Sequence, residues 1–138
     1  MADITLAPGA EEIDLAGMLA QMLEVSLERP EKEKVFNSLK TRVFISISDM
    51  DLGMTMDFDR GKLVVHGEKV GKPDISIVTD SETLLELIYI NIIVGVPNFF
   101  DETGRGLVKK LMKGELKIKG MFTHVIALIK VTKVISLN

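Results

Sequence analysis

Residues 48–68 read SDMDLGMTMDFDRGKLVVHGE, and they combine closely spaced aspartates with an alternating apolar pattern. The alternating apolar residues are Leu52, Met54, Met56 and Phe58. A period of two is typical of a strand with one buried face. The segment Asp59–Gly61 supplies a turn, since glycine takes positive φ readily, and Leu63 and Val65 then resume the alternation. The stretch therefore predicts two antiparallel strands joined by a tight turn.

The aspartates allow a second interpretation, a calcium site, because the pattern D-x-D-x-G occurs at Asp49–Gly53 and at Asp57–Gly61. A calcium loop that starts at Asp57 has Lys62 at its sixth position, where the sharp turn needs glycine. A loop that starts at Asp49 ends on Arg60, which cannot ligate calcium. Alternate residues on a strand also stand about 7 Å apart, too far for compact chelation. We therefore interpret both patterns as turns and predict no metal site.

The sequence on either side extends the sheet and adds helices. Further strands are predicted at Val43–Ile47, at Ile75–Val78 and at Glu115–Lys119. Helical spacing occurs in Glu11–Leu27, Glu31–Leu39, Leu84–Ile92, Gly104–Met112 and Met121–Ser136. Thr79–Glu82 has the spacing of a capping box in front of the third helix. Strands followed by helices predict an α+β fold with a mostly antiparallel sheet.

Length and composition limit the class of protein. The 138 residues suit one domain, 1–138, in which residues 1–10 are expected to be a flexible segment. There is no cysteine, so disulfides and thiolate metal sites are excluded. Met1–Leu15 lacks the features of a signal peptide, and the longest apolar stretch, Leu84–Val96, is too short to span a bilayer. We expect a cytoplasmic protein.

Charge is distributed unevenly along the chain. Residues 105–138 contain eight basic side chains and only Glu115 as an acidic one, whereas the whole chain has a net charge of −3. A basic segment on an acidic protein favours an anionic partner. We predict transient contact of Lys109, Lys110 and Lys113 with an anionic membrane. The alternative is a lysine face that is only solvated.

No pattern of a catalytic site is present. His66 and His124 lie on different predicted elements, and no nucleophile motif, phosphate-binding loop or dinucleotide fingerprint accompanies them. The predicted strands are apolar or acidic, whereas RNA-binding sheets are basic with exposed aromatic residues. We therefore expect neither an enzyme nor a nucleic-acid-binding protein, and no cofactor.

Three segments resemble the sterol carrier protein domain, also called the non-specific lipid-transfer domain. They are Val43–His66, Asp74–Leu85 and Lys113–Gly120, within a resemblance that covers residues 15–136. The resemblance implies a five-stranded mixed sheet with helices on one face, and a strand after the crossover that lies next to the first. It also implies an apolar tunnel between sheet and helices that carries acyl chains, acyl-CoA, sterols or phospholipids.

Two departures narrow these expectations. Ile135–Asn138 differs from the peroxisomal Ser-Lys-Leu tripeptide, so no peroxisomal address is expected. Met121 stands where relatives often have a polar residue, so sterol specificity is not assumed.

The predicted function is binding and carriage of a long-chain lipid or fatty-acyl ligand without chemistry. Tunnel residues are predicted from the apolar helix faces: Met18, Met22, Leu84, Leu87, Ile88, Ile92, Phe99, Phe100, Leu107, Leu111, Met121, Val125, Leu128 and Ile129. The last helix is apolar nearly all round, which requires two apolar partners. An alternative is therefore an interaction or homodimerisation module that uses this helix, one form of which is an accessory to a lipid-handling enzyme.

Overall fold

The computed structural model describes residues 3–88, 92–93, 96–97, 102–120 and 123–135. The α-helices in this part of the chain are α1 (Asp14–Ser26), α2 (Pro30–Ser38), α3 (Ser81–Ile88), α4 (Glu102–Lys113) and α5 (Val125–Ile135). The strands are β1 (Asp3–Leu6), β2 (Lys40–Ile47), β3 (Leu52–Asp59), β4 (Lys62–His66), β5 (Ile75–Thr79), β6 (Ile92–Ile93), β7 (Val96–Pro97) and β8 (Lys117–Lys119).

The main sheet has the strand order β1-β4-β3-β2-β5-β8. Strands β2, β3 and β4 form an antiparallel meander, and β8 is antiparallel to β5. Strand β5 runs parallel to β2, the first strand of the meander, which places the strand after the crossover where the resemblance implied. The prediction of an α+β fold with a mixed, mostly antiparallel sheet is confirmed.

The prediction of five strands is wrong, because β1 adds a sixth. Residues 3–6 come from the segment expected to be flexible, and they pair in parallel with β4, with Ile4 opposite Leu63 and Leu6 opposite Val65. The main-chain N–H of Ala7 extends this pairing with a 2.9 Å hydrogen bond to the carbonyl of Val65. Only two alternating apolar residues mark this strand, and its partner lies far away in sequence.

The turn interpretation of the aspartate patterns is confirmed. Between β3 and β4, Arg60 and Gly61 both have positive φ, 45° and 93°, as a two-residue hairpin of type I′ requires. Asp51 in the preceding turn also has positive φ, 47°. Within the described residues, no three His, Asp or Glu side chains are grouped so that they could hold a metal ion.

One face of the sheet is buried under the helices. The buried side chains of β2 are Thr41, Val43, Ile45 and Ile47, and those of β3 include Met54, Met56 and Phe58. The apolar side chains among them belong to one core that also contains Leu19 and Leu23 of α1 and Phe36 of α2. The Phe36 ring meets Phe58 edge to face at 6.2 Å between centroids. The core therefore lies between the meander and the helices.

The start and end of α3 differ from the prediction. Asp80 caps the helix, since its carboxylate accepts a 2.7 Å hydrogen bond from the N–H of Thr83. Thr79 cannot take this role because it belongs to β5 and its side chain is buried. The structure describes the helix through Ile88, and Ile92, which was predicted to be helical, lies in Ile92–Ile93, which pairs with β7 in antiparallel orientation.

The opposite face of the sheet is partly covered by the connection between β4 and β5. Thr55 is fully buried there, and its hydroxyl donates a 2.7 Å hydrogen bond to the carbonyl of Glu68. The Lys69 ammonium lies 5.6 Å from the centre of the Phe44 ring. Residues 67–74 thus return along the face that the helices leave free.

None of the helices described is long and apolar enough to cross a membrane.

Candidate functional site

The C-terminal helix α5 has apolar side chains both in the core and on the surface. It packs against α1, α2, α3 and β7. Val131 and Val134 are buried, and Leu128 is half-buried against the core. At the other extreme, Val125 and Ile126 are 45% and 72% exposed. The interpretation that this helix is apolar nearly all round is therefore reflected in its packing.

Polar contacts hold α5 at both ends. Near its C-terminus, the Ser26 hydroxyl donates a buried 2.9 Å hydrogen bond to the carbonyl of Val134. Along the helix, the Lys130 ammonium donates to the Ser38 hydroxyl at 3.3 Å. Just before its first residue, His124 Nε2 lies 3.8 Å from an Asp74 carboxylate oxygen. These contacts fix α5 to α1, to α2 and to the strand β5 side of the sheet.

The predicted tunnel residues fall into distinct environments. Leu84 and Leu107 are fully buried, whereas Met22, Leu111 and Leu128 are half-buried against the core. Ile129 is half-buried, and Met18 and Val125 are exposed. The side chains of Leu87, Ile88 and Ile92 and the residues Phe99, Phe100 and Met121 lie outside what the structure describes. The tunnel itself stays a prediction.

A polar network joins α3 to α4. The Lys110 ammonium donates to the Thr83 hydroxyl at 2.9 Å and to the Glu86 carboxylate at 3.2 Å. Burial lowers the pKa of Lys110, but the hydrogen bond to Glu86 and the charges of Glu86, Asp80 and Glu82 outweigh it, so the pKa lies above its usual value. Lys110 therefore points at α3, and sequence reasoning had no signal for this contact.

The outward face of α4 has a different character. Its exposed residues are Glu102, Arg105, Val108, Lys109, Met112 and Lys113. Met112 is 83% exposed, which is the largest exposed fraction among the large apolar side chains of the described residues. Two of the three lysines predicted to meet a membrane, Lys109 and Lys113, thus share a surface with apolar side chains, while Lys110 is engaged within the protein.

A concave surface lies on the sheet face opposite the helices. It has a volume of about 560 Å³ and is lined by Lys40, Arg42, Lys62 and Lys72 together with Asp57, Asp59 and Asp74. Lys40 lies opposite Asp59 and Arg42 opposite Asp57 in the β2–β3 register, and Arg42 forms a 3.3 Å ion pair with Asp57. Opposite charges on neighbouring strands stabilise a sheet, so this ion pair and the facing charges of Lys40 and Asp59 support the pairing of β2 with β3.

Residues 19–91, more than half of the chain, match the family described as the SCP-2 sterol transfer family. The chain belongs to the SCP-2 sterol transfer family. This confirms the resemblance drawn from the sequence, and family membership indicates lipid binding or transfer in general.

Solved structures of SCP-2 proteins share the fold. One is described as the UbiJ-SCP2 ubiquinone synthesis protein, at 14% identity and a TM-score of 0.63, covering 91% of this chain and 95% of that chain. Another is a sterol carrier protein 2, at 12% identity and a TM-score of 0.52, covering 85% of this chain and 89% of that chain. At these identities the likeness concerns the fold alone. No curated protein matches the chain in sequence.

Proposed function

We propose that this SCP-2 family member is a cytoplasmic carrier that holds a long-chain lipid or fatty-acyl group in an apolar tunnel and releases it unchanged, without catalysis. The observation that carries the proposal is membership of a sterol transfer family, through residues 19–91. The packing of α5 supports it, because this helix keeps half-buried apolar side chains between the core and the surface.

Burial of an acyl chain is sufficient to provide affinity. Transfer of about fifteen methylenes from water would contribute on the order of 12 kcal/mol, at ~0.8 kcal/mol each. Association and chain ordering cost roughly 4–15 kcal/mol. At the lower end of this cost, the balance allows micromolar binding without a dedicated polar anchor.

Native mass spectrometry of the purified protein, followed by extraction of bound lipid, tests the proposal directly. Titration with a fluorescent fatty acid then gives the affinity. A matched pair of substitutions on α5 locates the site, since Ile129 is half-buried and Ile126 is 72% exposed. Ile129→Asp is expected to weaken binding at least about tenfold, because a carboxylate would be brought next to the acyl chain. Ile126→Asp is expected to leave the affinity within about twofold.

Two results would refute carriage in a tunnel next to α5. One is a ligand-free mass together with no binding of the fluorescent fatty acid. The other is an equal change of fatty-acid affinity in Ile129→Asp and Ile126→Asp, because the fatty acid would then not contact the half-buried face of α5. Unfolding curves of both variants show whether each retains the parent fold.

A carrier must also meet membranes and leave them again. We propose transient contact with anionic membranes through the basic C-terminal quarter, in which Lys109 and Lys113 are exposed. Each cation near an anionic surface contributes about 1 kcal/mol, so a few of them give a weak and reversible attachment.

A second candidate function is a protein-interaction module, favoured by the exposure of Val125 and Ile126 on α5. The partner would be a second copy of the chain or a lipid-handling enzyme, and the structural neighbour described as a ubiquinone synthesis protein makes the accessory role a specific alternative. Sedimentation separates the two candidates. A stable dimer that Ile126→Asp converts into a folded monomer, with fatty acid not bound, would favour the interaction module.

A further inference from the structure

The outward face of α4 combines positive charge with exposed apolar surface. Arg105, Val108, Lys109, Met112 and Lys113 follow one another at spacings of three, one, three and one residues, which places all five on one side of a helix. All five are exposed, and Met112 is exposed over 83% of its surface. We refer to these five residues as the α4 stripe.

Within the described residues, the three cations of the α4 stripe have one acidic neighbour on the same side of the helix, the exposed Glu102 three residues before Arg105. Arg105, Lys109 and Lys113 stand four residues apart, and like charges at this spacing destabilise a helix. None of the three forms an ion pair with a carboxylate in the part of the chain that the structure describes. Lys113 is favourably placed at the C-terminal end of the helix dipole, but Arg105 and Lys109 have no such benefit. An anionic partner would relieve this repulsion.

The inner side of α4 is held in place, so the stripe is presented by an anchored helix. Leu107 is fully buried, and Leu111 is half-buried against the core. Lys110 ties the helix to α3 through Thr83 and Glu86. The position of Lys110 explains why the charge on the stripe comes from Arg105, Lys109 and Lys113.

We propose that the α4 stripe is the surface on which the protein docks on an anionic lipid bilayer. The inference deepens the proposed carriage, on which it rests, by naming the docking face. Interfacial helices combine basic residues with apolar side chains that enter the boundary between headgroups and acyl chains. Met112 and Val108 match the apolar part, and Arg105, Lys109 and Lys113 match the anionic headgroups. An acidic protein partner would satisfy the cations but leave unexplained why a methionine stands unburied among them.

The test is co-sedimentation of the ligand-free protein with vesicles of phosphatidylcholine, with and without phosphatidylserine. Binding is expected only with phosphatidylserine and is expected to fade as salt rises. Lys109→Gln/Lys113→Gln is expected to weaken the binding about 25-fold at low salt, at about fivefold for each lysine. Met112→Ser is expected to weaken it further at unchanged charge, because the apolar contact is lost.

The matched control is Lys34→Gln/Lys62→Gln, which removes the same charge from exposed positions on α2 and β4. It is expected to change vesicle binding less than about threefold. Equal loss in both double variants would overturn the proposal, since net charge alone would then explain attachment. Absence of vesicle binding, or insensitivity to Met112→Ser, would also overturn it and favour an acidic protein partner.

Failure of docking and failure of carriage remain distinguishable. Fatty-acid binding by the parent protein is measured in solution without vesicles. Fatty-acid binding with no vesicle attachment would overturn the docking surface and leave carriage in place. Stripe-dependent vesicle attachment without fatty-acid binding would support the docking surface and contradict carriage. Thermal unfolding of each variant confirms that the fold is retained.

Discussion

The Ser26 hydroxyl donates a 2.9 Å hydrogen bond to the main-chain carbonyl of Val134, although the two residues are 108 positions apart. Val134 lies in the last turn of α5, where main-chain carbonyls receive no hydrogen bond from an N–H group of the same helix. Ser26 is the last residue of α1 and is itself buried. A single side chain thus supplies the donor that a buried helix end needs, and it joins the C-terminal ends of two helices.

Replacement of Ser26 by alanine is therefore expected to reduce the free energy of unfolding by about 1–3 kcal/mol, the cost of an unsatisfied buried polar group. Urea unfolding measures the change. Thr5→Val is the control, because the Thr5 hydroxyl donates to the Asp3 carboxylate on the exposed strand β1, and its loss is expected to cost at most about 0.5 kcal/mol. Equal effects of the two substitutions would show that the Ser26 bond does not stabilise the packing of α5.

Gly120 is expected to be intolerant of a side chain. It has a φ of +87°, and an added Cβ would collide with the main-chain carbonyl oxygen of Asp74. Gly120→Ala should therefore destabilise the protein by at least about 2 kcal/mol. Gly106 in α4 has no atom of the described residues within 4 Å of its Cβ position, so Gly106→Ala should stabilise by about 0.5–1 kcal/mol through helix propensity. Similar effects of the two substitutions in thermal unfolding would contradict the predicted close approach.

Lys32 is expected to make stability rise with pH. Its side chain is buried, with 4% exposure. Burial is the main cause that lowers the pKa of Lys32 to about 8; the positive charge of Arg29 also lowers it, and the negative charge of Glu31 raises it. Between pH 8 and the ordinary pKa of about 10.5, the unfolded chain binds this proton and the folded protein does not. The free energy of unfolding should therefore increase with pH in this window, by up to about 1.4 kcal/mol per unit.

The measurement compares urea unfolding of the parent and of Lys32→Met between pH 7 and 10.5, with the contribution of Lys32 given by the difference. The free energy of unfolding of the parent is expected to rise relative to that of Lys32→Met as pH rises. A difference that stays constant over the window would show that the Lys32 pKa is not lowered in the folded state.

Ligand selectivity is expected to be broad if the proposed carriage is correct. An apolar site without committed polar groups discriminates weakly, since one methylene is worth only about 1–3 kcal/mol in a hydrophobic pocket. Displacement of a fluorescent fatty acid by saturated acids of increasing length should give overlapping affinities for several lengths. A thousandfold preference for one length would show a pocket of defined shape instead.

The sheet was largely predictable because its signals are local. The apolar alternation of β3 and the turn at Arg60 and Gly61 lie within a few residues of each other, and together they fix the strand register. Strand β1 gives a much weaker signal, because Ile4 and Leu6 alone mark it and their pairing with β4 is non-local. A short edge strand of this kind depends on packing that local sequence does not determine.

The helices were less predictable where tertiary contacts choose the direction of a side chain. Lys110 falls between the inward-facing Leu107 and Leu111, and only the position of α3 decides that it reaches Thr83 and Glu86. In α5, apolar residues on all sides leave the buried face undefined by sequence. The packing buries Val131 and Val134 and leaves Ile126 exposed.

The distance along the chain between Ser26 and Val134 also affects how the protein is made. A ribosome adds about 5–20 residues per second, so the 108 residues that separate them take roughly 5–20 s to synthesise. During this time α1 and α2 have emerged, but the helix that packs against both has not yet been made. Their apolar surfaces are then open to chaperones or to other nascent chains. Docking of residues 125–135 is therefore a late step, and the native packing of α1 and α2 is completed only after these residues have been made.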